Sequence, residues 1–427
     1  MMTTNDGLRL RSVTAEQILD SRGHPTLQVQ VVTDDGASFS GSAPAGASTG
    51  DHEARELRDG GSDFGGRGVT NAVTLVADQV EPLLTGTKWV TLDDIDGALY
   101  RLDGTGRFAK IGANTAVAVS IACARAFAHQ QRIPLHEWIS DQLGTTPVMP
   151  VPHFNVVNGG AHAANGLAFQ EFLVAPTGAR DISDAVQMGA EIYAALEAEL
   201  RSRFGSLGVG DEGGFAPDTD DENQVLDTIM RSIERAGLTP GLNVRLALDA
   251  AANSFYDGKY YRLHGRWRSA DDLLARYVDL AANYPIWSIE DPFDESDRNA
   301  WHDIMDRLGD RVQILGDDIF VTDAARIRAG AKEEIANAAL IKPNQIGTVT
   351  QTFEALRTAR EVGFRTMISH RSGETLDTFI ADLAVGAGTG QIKAGAPARG
   401  ERVAKYNRLT RLHKLYPQLG YAQWWTD

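Results

Sequence analysis

A single cysteine, Cys123, stands in a chain of 427 residues. That excludes an internal disulfide and fits a reducing compartment. Cys123 lies in the apolar run IACARAFA, where a small packed hydrophobe is expected rather than a nucleophile. Long apolar runs are missing too. The start, MMTTNDGLRLRSV, has no apolar core of signal-peptide length. The longest helix-like apolar stretch, 111–128, is interrupted by Asn114 and Arg125, which suits a buried helix better than a membrane span. Positive charge is scarce: Lys and Arg number 41 against 57 Asp and Glu, a formal net charge of −16. Such a balance opposes non-specific binding to nucleic acid or an anionic membrane. An anionic ligand then needs a local cluster of cations or metals. There is no short repeat, low-complexity tract or long charge run. These absences lead us to expect a cytoplasmic protein with no nucleic-acid or membrane partner.

What is present is an ordinary globular composition, 43% apolar and 23% charged. The length accommodates a barrel plus a second domain, each with its own core. Residues 1–145 read as an α+β domain. LRSVTAEQILDS and TLQVQVVTD look like strands leading to a turn at Asp34-Asp35-Gly36. A loop rich in Gly, Ser and Ala follows at 40–50, then helical patterns over about 69–85 and 113–130. TTPVMPVP, with Pro147, Pro150 and Pro152, cannot continue a helix and marks the boundary. Over 146–427 apolar strands alternate with amphipathic helices such as 222–236, 270–283 and 350–362, the order of βα units.

Eight short apolar runs in that second part each carry a residue able to hold a proton, a metal or an anion. They bear Glu171, Glu212, Asp249, Glu290, Asp317, Lys342, His370 and Lys393. Successive separations are 41, 37, 41, 27, 25, 28 and 23 residues, about one strand plus one helix each. In an eight-unit barrel the strand ends share one face, so distant residues converge on one pocket.

Asp249, Glu290 and Asp317 follow successive β-rich runs with no His or Cys beside them. Hard oxygen ligands of that kind suit Mg²⁺. Any one of them alone would read as a helix cap, but three together would repel one another without a cation. Lys342, in LIKPN, could serve as a salt-bridge partner or as a general base. The second role needs a neutral amine, favoured by nearby metal ions or by a second cation such as Lys393. Glu212 in GDEGGFAP is either a rigidly held acid or part of a glycine-rich turn. Glu171 in QEF and His162 in GGAHA carry weaker signals. The run His370-Arg371-Ser372-Gly373 offers two possible cations and a hydroxyl for phosphate or carboxylate capture, against the ordinary ion pair of an Arg.

Taken together, the motifs closely resemble enolase. They include DSRGHPT at 20–26, GASTGDHEARELRDG at 46–60, NGGAHA at 158–163, QEF at 170–172 and GDEGGFAP at 210–217. SIEDPFDE at 288–295, GDD at 316–318, KPNQIGT at 342–348, SHRSGET at 369–375 and AKYN at 404–407 continue the series in order. The resemblance implies an N-terminal α+β capping domain and a modified TIM barrel that opens ββαα before regular βα repeats. It implies Asp249, Glu290 and Asp317 on one Mg²⁺, and Ser48 on a second that arrives with substrate. Lys342 would take the C2 proton of 2-phosphoglycerate, and Glu212 would assist departure of the C3 hydroxyl. Lys393 would hold the substrate carboxylate, Arg371 and Ser372 the phosphate, with Glu171, His162, Gln170 and His370 completing the surroundings. A homodimer or higher homo-oligomer is also implied.

The chain departs from the family pattern around that centre. Ala45, Ala164, Gly166, Ala168 and Leu376 stand where Ser, Asp, Asn, Asp and Glu are usual. Positions 164, 168 and 376 thereby lose a carboxylate. This favours a larger or more anionic substrate, such as a carboxylated phosphonate analogue in phosphonate or phosphinate biosynthesis, as the alternative to a housekeeping enolase. A non-catalytic enolase-fold binding protein would be expected to have lost a base, acid or ligand, and all are present.

Overall fold

The computed structural model describes residues 7–47, 50 and 52–423. The first domain opens with strands β1 (Leu8–Leu19), β2 (Pro25–Thr33) and β3 (Ser38–Ser42). With the short β4 (Lys88–Trp89) they form an antiparallel sheet in the order β3-β2-β1-β4. The β2–β3 turn falls at Asp34-Asp35-Gly36, where Gly36 takes φ 86° and donates its N–H to the Thr33 carbonyl at 2.9 Å. The helix Ala113–Gln131 packs on β2 and β3. It comes so close that a Cβ on Gly41 would lie 2.2 Å from the Ala118 carbonyl oxygen. Both interruptions of its apolar run have partners. Asn114 bonds the Leu57 backbone in both directions, and Arg125 donates to both carboxylate oxygens of Asp377 in the barrel, at 2.7 and 2.8 Å. Two helices not anticipated from the sequence, Leu92–Asp103 and Leu135–Leu143, complete this layer.

The barrel begins within the proline-rich run, whose last proline, Pro152, is the second residue of the first barrel strand. β5 (Val151–Asn158) pairs antiparallel with β6 (Glu171–Ala175). The helices Ile182–Phe204 and Glu222–Arg235 follow, separated by a small hairpin of β7 (Gly208–Val209) and β8 (Phe215–Ala216). β9 (Arg245–Asp249) then lies antiparallel to β6. After a surface hairpin of β10 (Tyr261–Leu263) and β11 (Arg266–Arg268), regular units supply the remaining strands. These are β12 (Ile286–Glu290), β13 (Gln313–Gly316), β14 (Ala338–Ile341), β15 (Arg365–Ser369) and β16 (Gln391–Lys393), each parallel to its neighbour. β16 pairs with β5 and closes the eight strands.

Two features correct the simple eightfold reading. Glu212 is not on a barrel strand but in the β7–β8 hairpin, attached to the edge of β5 through Val157 and Phe215. The eighth strand is β5, which is buried along its whole length and ends on no obvious functional group. The ββαα opening follows from the antiparallel β5–β6 pair. Among the described residues no helix is long and apolar enough to cross a membrane.

Candidate active site

Strand register assembles the site. In β6, β9 and β12, Glu171 pairs with Asp249 and Asp249 with Glu290, so three carboxylates stand level on adjacent strands. Glu171 starts its strand whereas Asp249 and Glu290 end theirs, and the antiparallel direction of β6 is what brings it to the same rim. Asp317, Lys342 and His370 come directly after β13, β14 and β15, and Lys393 is the last residue of β16. One polar cavity is lined by Glu171, Glu212, Asp249, Asp317, Lys342, His370, Arg371, Ser372 and Lys393, with His162 and Gln170 from the β5–β6 loop. Glu290 lies behind Lys393, in contact with its ammonium. Ser48 falls outside the described residues.

Buried positive charge is outnumbered here. The Lys393 Nζ lies 2.7 Å from Glu290, 3.2 Å from Glu171 and 3.3 Å from Asp249. Burial works to lower its pKa, and these carboxylates override that and hold it well above the usual lysine range. Even so, burial followed by neighbouring charge pushes Glu171 and Glu290 well above the ordinary carboxylate range. The Lys342 Nζ donates to Asp317 Oδ2 at 2.5 Å, and the Gln345 amide donates to Oδ1 at 2.8 Å. Burial opposes both ionised forms, yet the pair holds Asp317 low and Lys342 high. Lys342 is therefore an ammonium in this arrangement, because Asp317 outweighs burial and the nearby Arg371 and Lys393.

On another wall, Glu212 Oε2 accepts from Asn155 Nδ2 at 2.9 Å and lies 3.1 Å from His370 Nε2 in a bent approach. His162 Nδ1 is 3.7 Å from both Glu171 and Glu212. Burial would raise Glu212, but the two imidazoles pull it well below its ordinary value. Arg371 is not the surface ion pair that an Arg usually makes. It forms a buried fork on Glu53, at 2.9 and 3.2 Å. Beside it the Ser372 hydroxyl is buried with no hydrogen-bond partner among the described residues.

The carboxylates suit a hard divalent cation: they are buried oxygen donors with negative charge in excess. Asp249, Glu290 and Asp317 do not converge as a single group, however. Asp249 and Glu290 turn to Lys393. Asp317 instead joins Asp291 and Asp318, and His162 joins Glu171 and Glu212, as the groups whose ligand atoms lie within 4.8 Å of one another. Several of these residues were not singled out in the sequence. Asp291 accepts the backbone N–H groups of Asp317 and Asp318 at 2.8 and 2.9 Å, and Asp318 is raised by burial and then by Asp317 to about 7. Asp291 and Asp318 each adjoin a named acid, in EDP and GDD. Glu53, Asn155 and Gln345 gave no separate signal.

The description "Enolase, N-terminal domain" matches residues 10–139, and "Enolase, C-terminal TIM barrel domain" matches residues 146–422. The chain belongs to the enolase family. Enolase-family proteins generally bind Mg²⁺, and membership supports an enolase-superfamily dehydratase, a lyase in the broad sense. Of the departures from the enolase pattern, none lines the cavity. Ala164, Gly166 and Ala168 lie on the loop that carries His162 and Gln170. Ala45 exchanges backbone hydrogen bonds with Gly373, next to Ser372, and Leu376 is 71% exposed.

Proposed function

We propose that this enolase-family protein dehydrates 2-phosphoglycerate or a close analogue, removing the C2 proton and expelling the C3 hydroxyl to give a phosphoenolpyruvate-type product. The supporting observation is the placement of the two candidate proton carriers. In the closed strand order β14 stands four strands from β6, directly across the barrel. Lys342 thus faces the cavity from the side opposite Glu171, with Glu212 beside β5. An anti elimination needs a base on one face of the substrate and an acid on the other.

In this reading Lys342 takes the C2 proton, and Glu212, held ionised by His370 and His162 in the arrangement above, delivers a proton to the leaving hydroxyl once the anionic substrate beside it has raised its pKa. Arg371 and Ser372 hold the phosphoryl group, exchanging the Glu53 fork for a ligand oxygen. Lys393 holds the substrate carboxylate. Asp249, Glu290 and Asp317, with Ser48, are the residues that would hold Mg²⁺. The bound cations would offset the second negative charge that builds on that carboxylate. Pairing a Lys base with Mg²⁺ is the established chemistry of this superfamily, so that part of the reading comes from family membership as much as from geometry. Were Asp317 engaged by a cation, it would no longer hold Lys342 as an ammonium, and the amine could be the neutral base the reaction requires.

The two roles separate experimentally. Lys342→Ala is expected to lower both C2 proton exchange with solvent and elimination by at least about 10²-fold. Glu212→Gln is expected to keep exchange while losing elimination. Exchange that survives in Lys342→Ala would sink the assignment.

A second reading has its own support. Ala164, Gly166 and Ala168 sit on the loop bearing His162 and Gln170, both of which line the cavity, and Ala45 pairs with Gly373 next to Ser372. We infer that they relax the site toward a carboxylated phosphonate analogue, giving a carboxyphosphonoenolpyruvate-type product. Comparison of kcat/KM for the two substrates decides, and preference for 2-phosphoglycerate removes this alternative.

A further inference from the structure

Arg402, on the helix Gly400–Leu415, is completely buried and has no part in the chemistry above. Its Nη1 donates to His370 Nδ1 at 2.6 Å and to the Arg371 carbonyl at 2.5 Å. Its Nη2 donates to the carbonyls of Ser372 at 2.5 Å and Asp211 at 3.1 Å. One side chain therefore ties together the segments that carry His370, Arg371, Ser372 and Glu212. A guanidinium has donors only and stays protonated in proteins. The His370 Nδ1 must then present its lone pair. A neutral imidazole has one N–H, and it is left on Nε2, the nitrogen that faces Glu212.

We propose that Arg402 is a positioning residue that locks His370 as the neutral, Nε2-protonated tautomer, so that His370 cannot take a proton away from Glu212. The inference rests on the dehydratase reading for its consequence, but not for its geometry. Transfer from Glu212 to His370 needs a bare Nε2, hence a proton on Nδ1, and leaves a ring carrying both. Either form sets an N–H against the guanidinium. The charged groups facing the ring are Glu212 from the β7–β8 hairpin, Arg402 from its helix and Glu374 from the loop of His370 itself, and burial takes the imidazole down to about 4. Asn155 and His370 both address Glu212 Oε2, whereas Oε1 lies toward His162. A proton reaching Glu212 stays on its carboxyl, with Oε1 free to carry it.

The test is ¹⁵N NMR of the full-length protein labelled at histidine nitrogens, with His370 assigned by its loss in His370→Asn. The expected wild-type spectrum shows an unprotonated Nδ1 and a protonated Nε2, unchanged from pH 8 to pH 5. In Arg402→Met, with folding checked by thermal unfolding, His370 should show mixed tautomers or titrate within that range. The acid limb of the kcat profile should move to higher pH, and kcat should fall about 10²-fold. Arg402→Lys, which retains a cationic donor, should restore part of each. If Arg402→Met does not fold, Arg402→Gln, whose amide oxygen can accept from an Nδ1–H, is read by the same criteria in its place. A wild-type Nδ1–H or imidazolium at pH 7 overturns the proposal, as does a folded variant with the wild-type tautomer and titration. Because the spectrum needs no substrate, failure of the dehydratase reading leaves a separate signature: correct tautomer, no turnover.

Discussion

At the scale of single residues, the site is a set of carboxylates with too few cations. Asp317 shows the consequence most directly, because it is shared between Lys342, Gln345 and the Asp291–Asp318 group. Supplying Mg²⁺ to such a site should stabilise the fold by mass action, by about 2.7 kcal/mol at a concentration near one hundred times Kd. Thermal unfolding with chelator and with excess Mg²⁺ should therefore give clearly different midpoints. Asp317→Asn should shrink that difference. Identical midpoints in chelator and in Mg²⁺ would remove the case for a resident cation. The acids themselves were legible in sequence, since each follows an apolar run. Their pairing was not, because the ammonium groups that claim them come from strands 25 residues or more away.

At the scale of elements, β5 and the first barrel helix show how tightly the unusual opening is packed. Gly189 is buried in the helix Ile182–Phe204, and a Cβ there would lie 2.4 Å from a ring carbon of Phe154 on β5. Helix propensity alone predicts that Gly189→Ala gains up to about 1 kcal/mol. Overpacking costs about 1–3 kcal/mol, and Phe154 is itself held against Tyr406, with ring centroids 4.6 Å apart. The clash should win. We expect a lower urea midpoint at unchanged m-value; a higher midpoint would mean that the ring moves aside easily. Neither β5 nor its role in closure stood out in sequence, because a strand buried on both faces has no alternation and VPHFNVVN ends on no functional residue.

At the scale of the molecule, the cap and the barrel are joined by buried polar links. Asp96, on a cap helix, accepts from Ser120 Oγ at 2.9 Å and from the Thr350 backbone N–H of a barrel helix at 3.0 Å. Burial raises its carboxyl to about 6. The folded state then binds this proton more tightly than the unfolded chain, whose carboxyl titrates near 4. Its contribution is fully present below the unfolded pKa and is lost as pH rises toward 6, by about 3 kcal/mol at most. Asp96→Asn cannot titrate, so the fall in stability between pH 4 and pH 6 should flatten relative to wild type. Parallel pH–stability curves for the two proteins would show that Asp96 does not carry this slope.

The sequence by itself determined the two-part organisation, the acidic rim with Lys342 and Lys393, and the ordered motifs that mark the enolase family. Local pattern suffices there, since apolar runs, turns and contiguous motifs are properties of neighbouring residues. Only the tertiary structure decided which strand closes the barrel, that Glu212 sits on an added hairpin, and that Glu53 occupies Arg371. It alone revealed Arg402 against His370. Those facts depend on register and on contacts between residues far apart in the chain, and burial is what makes each such contact strong.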